Sequence, residues 1–267
     1  MNIHFDNLHL LKELNEATLG KIIVGSHMYG LNNEESDIDI LYIYNPSPFQ
    51  LINPFKNHHQ FQYKEGNTDH LYVDLPAFIQ NIVTGDSTIN FEVINSPKFK
   101  EAFDESLHFL ADMSKSFYTY NVAKAYLGFA KRDLKQSRAL RGREMKKKLV
   151  HIHRSIVSAR QIMYNNEFDM RFGIINSFYK NNESHLARKA TRDKLYREMN
   201  DLRSELQDMH DNRLIKRYMS VKDQSTIHNK LSYIYHSKPQ LADSTMLGDM
   251  LMQVYNANEN PNFKYDN

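Results

Sequence analysis

The sequence predicts an α+β fold, in which a small mixed β-sheet with flanking helices is followed by an α-helical C-terminal domain. Up to about residue 104, short runs rich in β-branched residues alternate with turn signals, which is typical of strands. Beyond about residue 105, long charged stretches repeat their apolar residues at helical spacing and contain few helix breakers. This change predicts domains at 1–104 and 105–255, followed by a polar and flexible tail at 256–267.

The first predicted element is an amphipathic helix over residues 8–19, where leucines recur near helical spacing. The run KIIVGS then predicts a strand that ends in a turn at glycine, and SDIDILYIY predicts a second strand. Prolines interrupt the chain in NPSPFQLINPF before a third short strand, LYVDL. The segment PAFIQNIVTG begins with proline and ends with glycine, which predicts a helix, whereas STINFEVINSP fits a short strand or a helix.

Composition excludes several classes of protein. The 267 residues include no cysteine, so disulfides and thiolate metal sites are excluded, and any metal must be held by carboxylates or histidines. No apolar run approaches the roughly 20 residues that a membrane-spanning helix needs. The N-terminus mixes charges into an amphipathic pattern and does not resemble a signal peptide. We therefore expect a cytoplasmic protein without a membrane partner.

The net charge of +2 hides an uneven distribution along the chain. The segment from Lys131 to Arg160 contains eleven Lys and Arg residues but only two acidic ones, Asp133 and Glu144. Its net charge is therefore +9, which leaves about −7 for the rest of the chain. A block this basic suggests a polyanionic partner such as a nucleic acid or a nucleoside triphosphate. A solvated helix face is the alternative interpretation.

Two aspartates in the second predicted strand lie one residue apart. Because side chains alternate along a strand, Asp37 and Asp39 point the same way, while Ile38 and Ile40 point into the other layer. Two adjacent carboxylates repel each other unless a cation lies between them, and hard oxygen ligands suit Mg²⁺ or Mn²⁺. Asp74 in LYVDL would converge on this pair if its strand lies beside the second one, as a two-metal phosphoryl-transfer site requires.

The Gly25-Ser26 turn precedes this strand. Glycine lets the backbone come close to a phosphate, and a turn between a strand and a helix directs amide N–H groups at anions. Ser26 adds a hydroxyl donor. Residues 25–36 would therefore bring a phosphate next to the carboxylates.

The stretch GSHMYGLNNEESDIDI resembles the signature of the DNA polymerase beta-like nucleotidyltransferases, and is most similar to their RNA-repair-associated subfamily of bacteria and phages. The segments VDLPAFIQNIVTGDSTINFEVINSP and KKKLVHIHRSIVSARQIM also resemble parts of that subfamily. The likeness covers about the first 165 residues. It implies a nucleotidyltransferase core and a metal-dependent transfer of a nucleotide from an NTP.

The resemblance also implies roles for individual residues. Gly25, Ser26 and Ser36 would bind the triphosphate. Asp37 and Asp39 would ligate Mg²⁺ or Mn²⁺, and Asp74 would be the third ligand and the base for the attacking hydroxyl. Asp69 is the alternative third ligand, but it lies in a predicted Gly-Asn-Thr turn, so we favour Asp74. His27 stands where the family often has a basic residue, which leaves a phosphate contact from this position open.

Several further residues have two interpretations. Lys147, His151 and Arg154 share one face of a predicted helix and would either contact a triphosphate or RNA, or form a solvated face. Glu92 could contact substrate or brace the fold, and we favour bracing. His151 and His153 point to different helix faces, which disfavours a zinc site. The aromatic residues from Phe117 to Phe129 recur at helical spacing and indicate core rather than a base-stacking platform.

The function expected from these features is transfer of an NMP from an NTP to a hydroxyl with release of pyrophosphate. The RNA-repair resemblance and the basic block favour an RNA or tRNA 3′ end as the acceptor. A non-catalytic nucleotide- or RNA-binding module is an alternative, although all three carboxylates are present. An antitoxin-like enzyme that modifies a partner protein is another, although such proteins are usually much shorter.

Overall fold

The structure is a computed structural model, and it describes residues 5–32, 34, 36–48, 60–164, 168–170 and 185–240. The chain begins with helix α1 (Phe5–Glu16), followed by strands β1 (Thr18–Val24), β2 (Ile38–Tyr44), β3 (Gln60–Glu65) and β4 (Thr68–Asp74). The helices after the sheet are α2 (Leu75–Thr84), α3 (Thr88–Ile94), α4 (Phe99–Ala102), α5 (His108–Asp112), α6 (Tyr120–Ser137), α7 (Gly142–Met163), α8 (His185–Asp211) and α9 (Val221–Ser237). Short 3-10 turns occupy Glu105–Leu107 and Ser114–Phe117.

The four strands form one mixed sheet in the order β1-β2-β4-β3. The central pair, β2 and β4, is parallel, and the outer strands β1 and β3 each run antiparallel to their neighbour. This arrangement confirms the predicted α+β fold class with a small mixed sheet. The register of the parallel pair sets Asp39 opposite Asp69 and Tyr44 opposite Asp74.

The two faces of the sheet bury different residues, because side chains alternate along each strand. One face packs Ile22, Leu41 and Ile43 into the main core with the helices. The other face packs Tyr42 and Tyr72, together with Ile40, against Leu14 and Ala17 from α1 and the turn after it. The expectation that Ile40 belongs to the layer opposite the carboxylates is therefore confirmed.

Helices α2 and α3 have the caps that their sequences predict. The side chain of Asp74 accepts a hydrogen bond from the Ala77 amide at 2.6 Å at the start of α2, and Gly85 ends this helix with a positive φ of 80°. Ser87 caps α3 by accepting a bond from the Asn90 amide at 3.3 Å. The helix predicted for PAFIQNIVTG is confirmed, and STINFEVINSP forms a helix rather than a strand.

The helical region packs directly on the sheet layer. Helices α6 and α7 are joined by residues 138–141 and pack along each other, and α8 packs on both. One continuous apolar cluster runs from Leu19 in β1 through α2 and α6 to Ile234 in α9. The predicted division at residue 104 stays a prediction, and the two predicted units share one core. The predicted tail at 256–267 lies outside the described residues, as does most of the proline-rich segment after β2.

The second half of the sheet differs most from the prediction. β3 was not predicted, because QFQYKE is a polar edge strand whose residues are all exposed or half-buried. β4 begins at Thr68, three residues before the predicted LYVDL, because Gly66 and Asn67 form the tight turn between β3 and β4. Asp69 therefore lies in a strand and not in a turn. Among the described helices, we find none with the length and apolar character that crossing a bilayer demands.

Candidate active site

A tight turn at residues 25–30 joins β1 to the loop that leads into β2. Both of its glycines have a positive φ, 66° at Gly25 and 63° at Gly30. The backbone closes on itself through bonds from the Leu31 amide to the Ser26 carbonyl at 2.9 Å and from the Gly30 amide to the His27 carbonyl at 3.3 Å. A Cβ atom at Gly25 would overlap Oδ2 of Asp39. The turn and the Asp39 carboxylate are therefore in direct contact.

Three carboxylates meet at the end of the sheet beside this turn. Asp37 immediately precedes β2, Asp39 lies in β2, and Asp69 stands opposite Asp39 on β4. Residues paired in a parallel ladder point to the same face, so these aspartates share one side of the sheet. The ammonium of Lys64 on β3 spans two of them, at 3.7 Å from Asp37 Oδ2 and 3.4 Å from Asp69 Oδ2.

The electrostatics of Asp39 reflect this crowding. Burial raises the pKa of its carboxyl above the usual value, and the charges of Asp69 and Asp37 raise it further. His27 and Lys147 oppose this rise in pKa, so both lie near enough to act on Asp39. Negative charge is concentrated here, and a cation would stabilise it.

Asp74 lies at the other end of β4, and the prediction that it converges on Asp37 and Asp39 is wrong. It stands opposite Tyr44, five residues along the strand from Asp69, which is about 16 Å at the usual rise per residue. Its side chain is buried and caps α2 through the Ala77 amide. The error arose because the apolar LYVDL forms the better local strand pattern, whereas the register is set by the β3–β4 turn.

The remaining predicted binding residues come from the loop before β2 and from α7. Ser36 immediately precedes Asp37, and its carbonyl accepts a bond from the Asn67 side chain at 3.3 Å. Lys147 is exposed on α7 and acts on the Asp39 carboxyl, so it faces the carboxylates. His151 lies one helical turn further on and is half-buried. Burial first, and then the charge of Arg154, lower the pKa of His151 to about 4, so its ring is neutral at pH 7.

Arg154 and Glu92 form a buried ion pair beneath the turn, with Nη2 of the arginine 3.5 Å from Oε1 of the glutamate. Glu92 is fully buried and also accepts hydrogen bonds from the hydroxyls of Tyr29 and Tyr126. The Arg154 guanidinium stacks on the Tyr29 ring at 3.5 Å from its centroid. Glu92 therefore braces the fold, as we favoured. Arg154 belongs to the same network of buried polar side chains, together with Glu92, Tyr29 and Tyr126.

Residues at the site that the sequence analysis missed are Lys64 and Tyr29, and Asp69 was ranked second. The sequence does contain a signal for Lys64. Gly66-Asn67 lies between two segments in which polar and apolar residues alternate, which is typical of a hairpin. That hairpin would have set Lys64 opposite Asp69, as the structure does. No local pattern could have paired Tyr29 with Glu92, 63 residues away.

The donor type suits a hard divalent cation, because Asp37, Asp39 and Asp69 offer carboxylate oxygens on one side of the sheet, and burial, followed by the charges of the other two, raises the pKa of Asp39. Within the described ranges, no group of three or more acidic or histidine side chains is arranged to hold a metal as it stands. The position between Asp37 and Asp69 is taken by the Lys64 ammonium, which would have to move for a metal to bind there.

The comparison with protein families decides which family this site belongs to. Residues 8–246 match the model of RlaP, the RNA repair pathway DNA polymerase beta family. The chain belongs to this family. The match includes the turn at residues 25–30, the three carboxylates, α7 and all other described helices except the first residues of α1.

A search of the curated proteins found no match for this chain. Among solved structures, it is similar to a nucleotidyltransferase-like protein from Exiguobacterium sibiricum 255-15, at 11% identity. That likeness covers 93% of this chain and 89% of the other, with a TM-score of 0.28. Membership of a polymerase beta-like family indicates nucleotidyltransferase activity in general, and an NTP as substrate.

Proposed function

We propose that this protein transfers a nucleoside monophosphate from an NTP to a hydroxyl group, with an RNA 3′ end as the favoured acceptor. The acceptor oxygen forms a bond to the α-phosphorus, the bond from that phosphorus to the β-phosphate oxygen breaks, and pyrophosphate leaves. The observation that carries the proposal is the meeting of Asp37, Asp39 and Asp69 beside the glycine turn.

Each part of the site suits one requirement of this reaction. Asp37 and Asp39 would hold Mg²⁺ or Mn²⁺, with Asp69 instead of Asp74 as the third ligand and as the group that accepts the proton of the attacking hydroxyl. When bound, the metal ions would supply charge stabilisation for the triphosphate and the attacking oxygen. Gly25 and Ser26 would bind phosphate oxygens through backbone amides and the serine hydroxyl, and Ser36, which immediately precedes Asp37, would add a second hydroxyl.

Lys147 is the basic residue best suited to contact the triphosphate, because it already acts on Asp39 from α7. His151 is neutral at pH 7, so it would contribute a hydrogen bond rather than a charge. Its pKa would rise if a triphosphate bound within a few ångströms, because a nearby negative charge favours the protonated ring.

An RNA acceptor is supported by the basic surface next to the site. The end of α6 and the start of α7 expose a set of cations on either side of the connection at 138–141, namely Lys131, Arg132, Lys135, Arg138, Arg141, Arg143 and Lys147. Within the described part of the chain, one of the three consecutive lysines, Lys148, bonds an acidic residue, Asp133, at 3.1 Å. A surface of this charge attracts phosphate backbones.

The first experiment measures transfer from α-labelled NTPs, with Mg²⁺ or Mn²⁺, to RNA, to candidate partner proteins and to no acceptor. RNA whose terminal ribose has been oxidised with periodate is the control for the 3′ hydroxyl. We expect label on intact RNA only. Label on protein would support the antitoxin-like alternative, and NTP binding without transfer would support the non-catalytic module.

The matched variants are Asp69→Asn and Asp74→Asn, alongside Asp37→Asn and Asp39→Asn. Asparagine removes the charge in each case, but it is as good an N-cap as aspartate, so Asp74→Asn should keep α2 intact. We expect transfer to fall by a factor of about 10³ or more in Asp37→Asn, Asp39→Asn and Asp69→Asn, because each removes a proposed metal ligand. Asp74→Asn should retain activity within about threefold. The reverse order for Asp69 and Asp74 would contradict the proposed site.

A further inference from the structure

The buried polar network beneath the turn contains four side chains from four different elements. Tyr29 comes from the turn, Glu92 from α3, Tyr126 from α6 and Arg154 from α7. Glu92 and Tyr126 are at most 2% exposed and Tyr29 is 6% exposed, so the carboxylate and both hydroxyls are shielded from water, whereas the side chain of Arg154 is 14% exposed. Burial raises the pKa of both tyrosines well above the usual phenol value, and Glu92 raises it further, so both hydroxyls stay protonated and donate to the carboxylate.

This network is not explained by stability alone. The desolvation cost of a buried ion pair usually offsets its Coulombic gain, and apolar residues of similar volume often fold as well. Helix α6 packs on both α3 and α7 in an apolar cluster, so apolar side chains at the positions of Glu92, Tyr126 and Arg154 would have apolar neighbours. Tyr29 is the exception, because it lies in the glycine turn rather than on a core helix.

The geometry of α7 links the network to the carboxylates. Lys147 lies near enough to Asp39 for its charge to lower the pKa of that carboxyl, and Arg154 lies seven residues further along the same helix, about 10 Å at the usual rise. The guanidinium stacks on the Tyr29 ring, and the carboxylate of Glu92 receives both the arginine and the tyrosine hydroxyl. The turn is therefore anchored at its C-terminal half, three residues after Ser26.

We propose that Arg154 and Tyr29 are positioning residues, which hold the turn at residues 25–30 in the conformation that binds the triphosphate. This inference rests on the proposed function of the same site. The residues touch no reacting atom. They act by fixing the backbone amides of Gly25 and Ser26 before the nucleotide arrives, so that this ordering does not have to occur on binding.

The test compares Tyr29→Phe with Tyr126→Phe. Each variant removes one hydroxyl donor from the same buried Glu92 carboxylate and keeps the ring, but only Tyr29 belongs to the turn. Binding is measured by calorimetric titration with an α,β-methylene NTP analogue, and KM and kcat by the transfer assay. We expect Tyr29→Phe to raise both Kd and KM about five- to tenfold and to leave kcat within about twofold. The reason is that the lost binding energy is shared equally by the bound substrate and the transition state. Tyr126→Phe should leave both Kd and KM within about twofold.

Thermal unfolding of both variants separates positioning from stability. We expect both Tm values to fall, since each variant loses a hydroxyl that donates to the buried Glu92 carboxylate, and only Tyr29→Phe to change Kd. Equal effects of the two variants on Kd would overturn the inference, and so would no effect of either. Arg154→Lys keeps the charge but loses the stacking on the ring, and should weaken Kd in the same direction as Tyr29→Phe.

If a variant of Arg154 fails to fold, the cause would be the Glu92 carboxylate, because a buried charge without its partner is strongly destabilising. The double variant Glu92→Gln/Arg154→Met removes both charges and addresses this case. The double variant should fold and still raise Kd about tenfold. An unchanged Kd would overturn the inference. If the wild-type protein binds the analogue but transfers nothing, the proposed function fails and the inference is decided by Kd alone. If it binds no analogue, both fail.

Discussion

Gly25 is the residue whose lack of a side chain matters most at this site. Its φ of 66° lies in the left-handed region, and a Cβ atom would overlap the carboxylate of Asp39. Gly30 at the other end of the turn has nearly the same φ, 63°, but a Cβ atom there would meet nothing within 4 Å. A side chain at Gly30 would therefore strain the backbone only, whereas a side chain at Gly25 would strain the backbone and also clash with Asp39.

Replacing each glycine by alanine tests this difference. We expect Gly30→Ala to lower the free energy of unfolding by about 1 kcal/mol, which is the cost of a left-handed residue with a Cβ, and to keep NTP binding. Gly25→Ala should cost about 2 kcal/mol or more and abolish NTP binding, since either the turn or Asp39 must move. Denaturant unfolding and calorimetric titration measure the two quantities. Equal NTP affinities in the two variants would contradict the close approach of the turn to Asp39.

At the residue scale, the sequence was informative where a rule is local. Alternation along a strand was sufficient to set Asp37 and Asp39 on one face, because it depends on neighbouring residues only. The third carboxylate was assigned to Asp74, because pattern strength cannot reveal register. The register of β2 against β4 depends on pairing between residues far apart in the chain and on the turn before β4, and it selects Asp69.

Helix α7 is the element that joins most parts of the site. It carries Lys147 towards the carboxylates, Arg154 into the buried network, and His151 between them. Helical periodicity predicted correctly that these residues share a side, but it could not distinguish their surroundings. One is exposed, one is neutral and half-buried, and one is paired with a buried glutamate.

The surroundings of His151 predict a specific dependence of stability on pH. Burial and the cations Arg154, Lys148 and Lys147 lower its pKa to about 4, against the opposing charge of Asp133. The unfolded chain, with a histidine pKa near 6.5, therefore binds more protons between pH 4 and 6.5. Stability should be complete above about pH 7 and decrease as the pH falls through this range, by up to about 3 kcal/mol from this residue.

His151→Gln removes this titration while keeping a polar side chain. The free energy of unfolding of the variant should exceed that of the wild type by a margin that grows as the pH falls from 7 to 4. The other histidines with a lowered pKa, His70 and His153, contribute to both proteins and cancel in the difference. Denaturant unfolding at several pH values gives the curve. A difference independent of pH would show that His151 is not shielded as the structure indicates.

The success of element prediction follows the burial of each element. β1, β2 and α2 were predicted because one side of each is apolar and buried, which gives a clear period. β3 has no buried residue, so its sequence carries no such signal. α1 was expected at residues 8–19 and ends at Glu16, because Leu19 belongs to β1 and continues the apolar spacing by coincidence.

At the scale of the whole molecule, contacts across the chain tie its two halves together. The Lys238 ammonium bonds Asp104 at 2.7 Å, and the Asn45 side chain donates to the carbonyls of Lys238 and Pro239 at 3.3 and 3.1 Å. Burial works against ionisation of Asp104, but its bonds to Lys238 and Ser106 lower its pKa to about 2. Such pairings over more than 100 residues follow from the packed fold, and no local pattern in the sequence indicates them.

The shared core predicts how the chain responds to truncation. A fragment of residues 1–104 would expose the apolar sides of α2 and α3, where Phe78, Ile82 and Phe91 pack in the same cluster as Tyr126 and Leu127 of α6. It would also leave Glu92 buried without Arg154, which is a costly arrangement.

We therefore expect fragment 1–104 to show no cooperative thermal unfolding by circular dichroism. A fragment of residues 1–164 keeps α6 and α7, together with the complete buried network, and should unfold cooperatively with a Tm below that of the full chain, because α8 and α9 are missing. The predicted domain boundary at residue 104 makes the opposite forecast for the shorter fragment. Cooperative unfolding of 1–104 would show that the sheet half is an independent domain and that the network at Glu92 is dispensable for its folding.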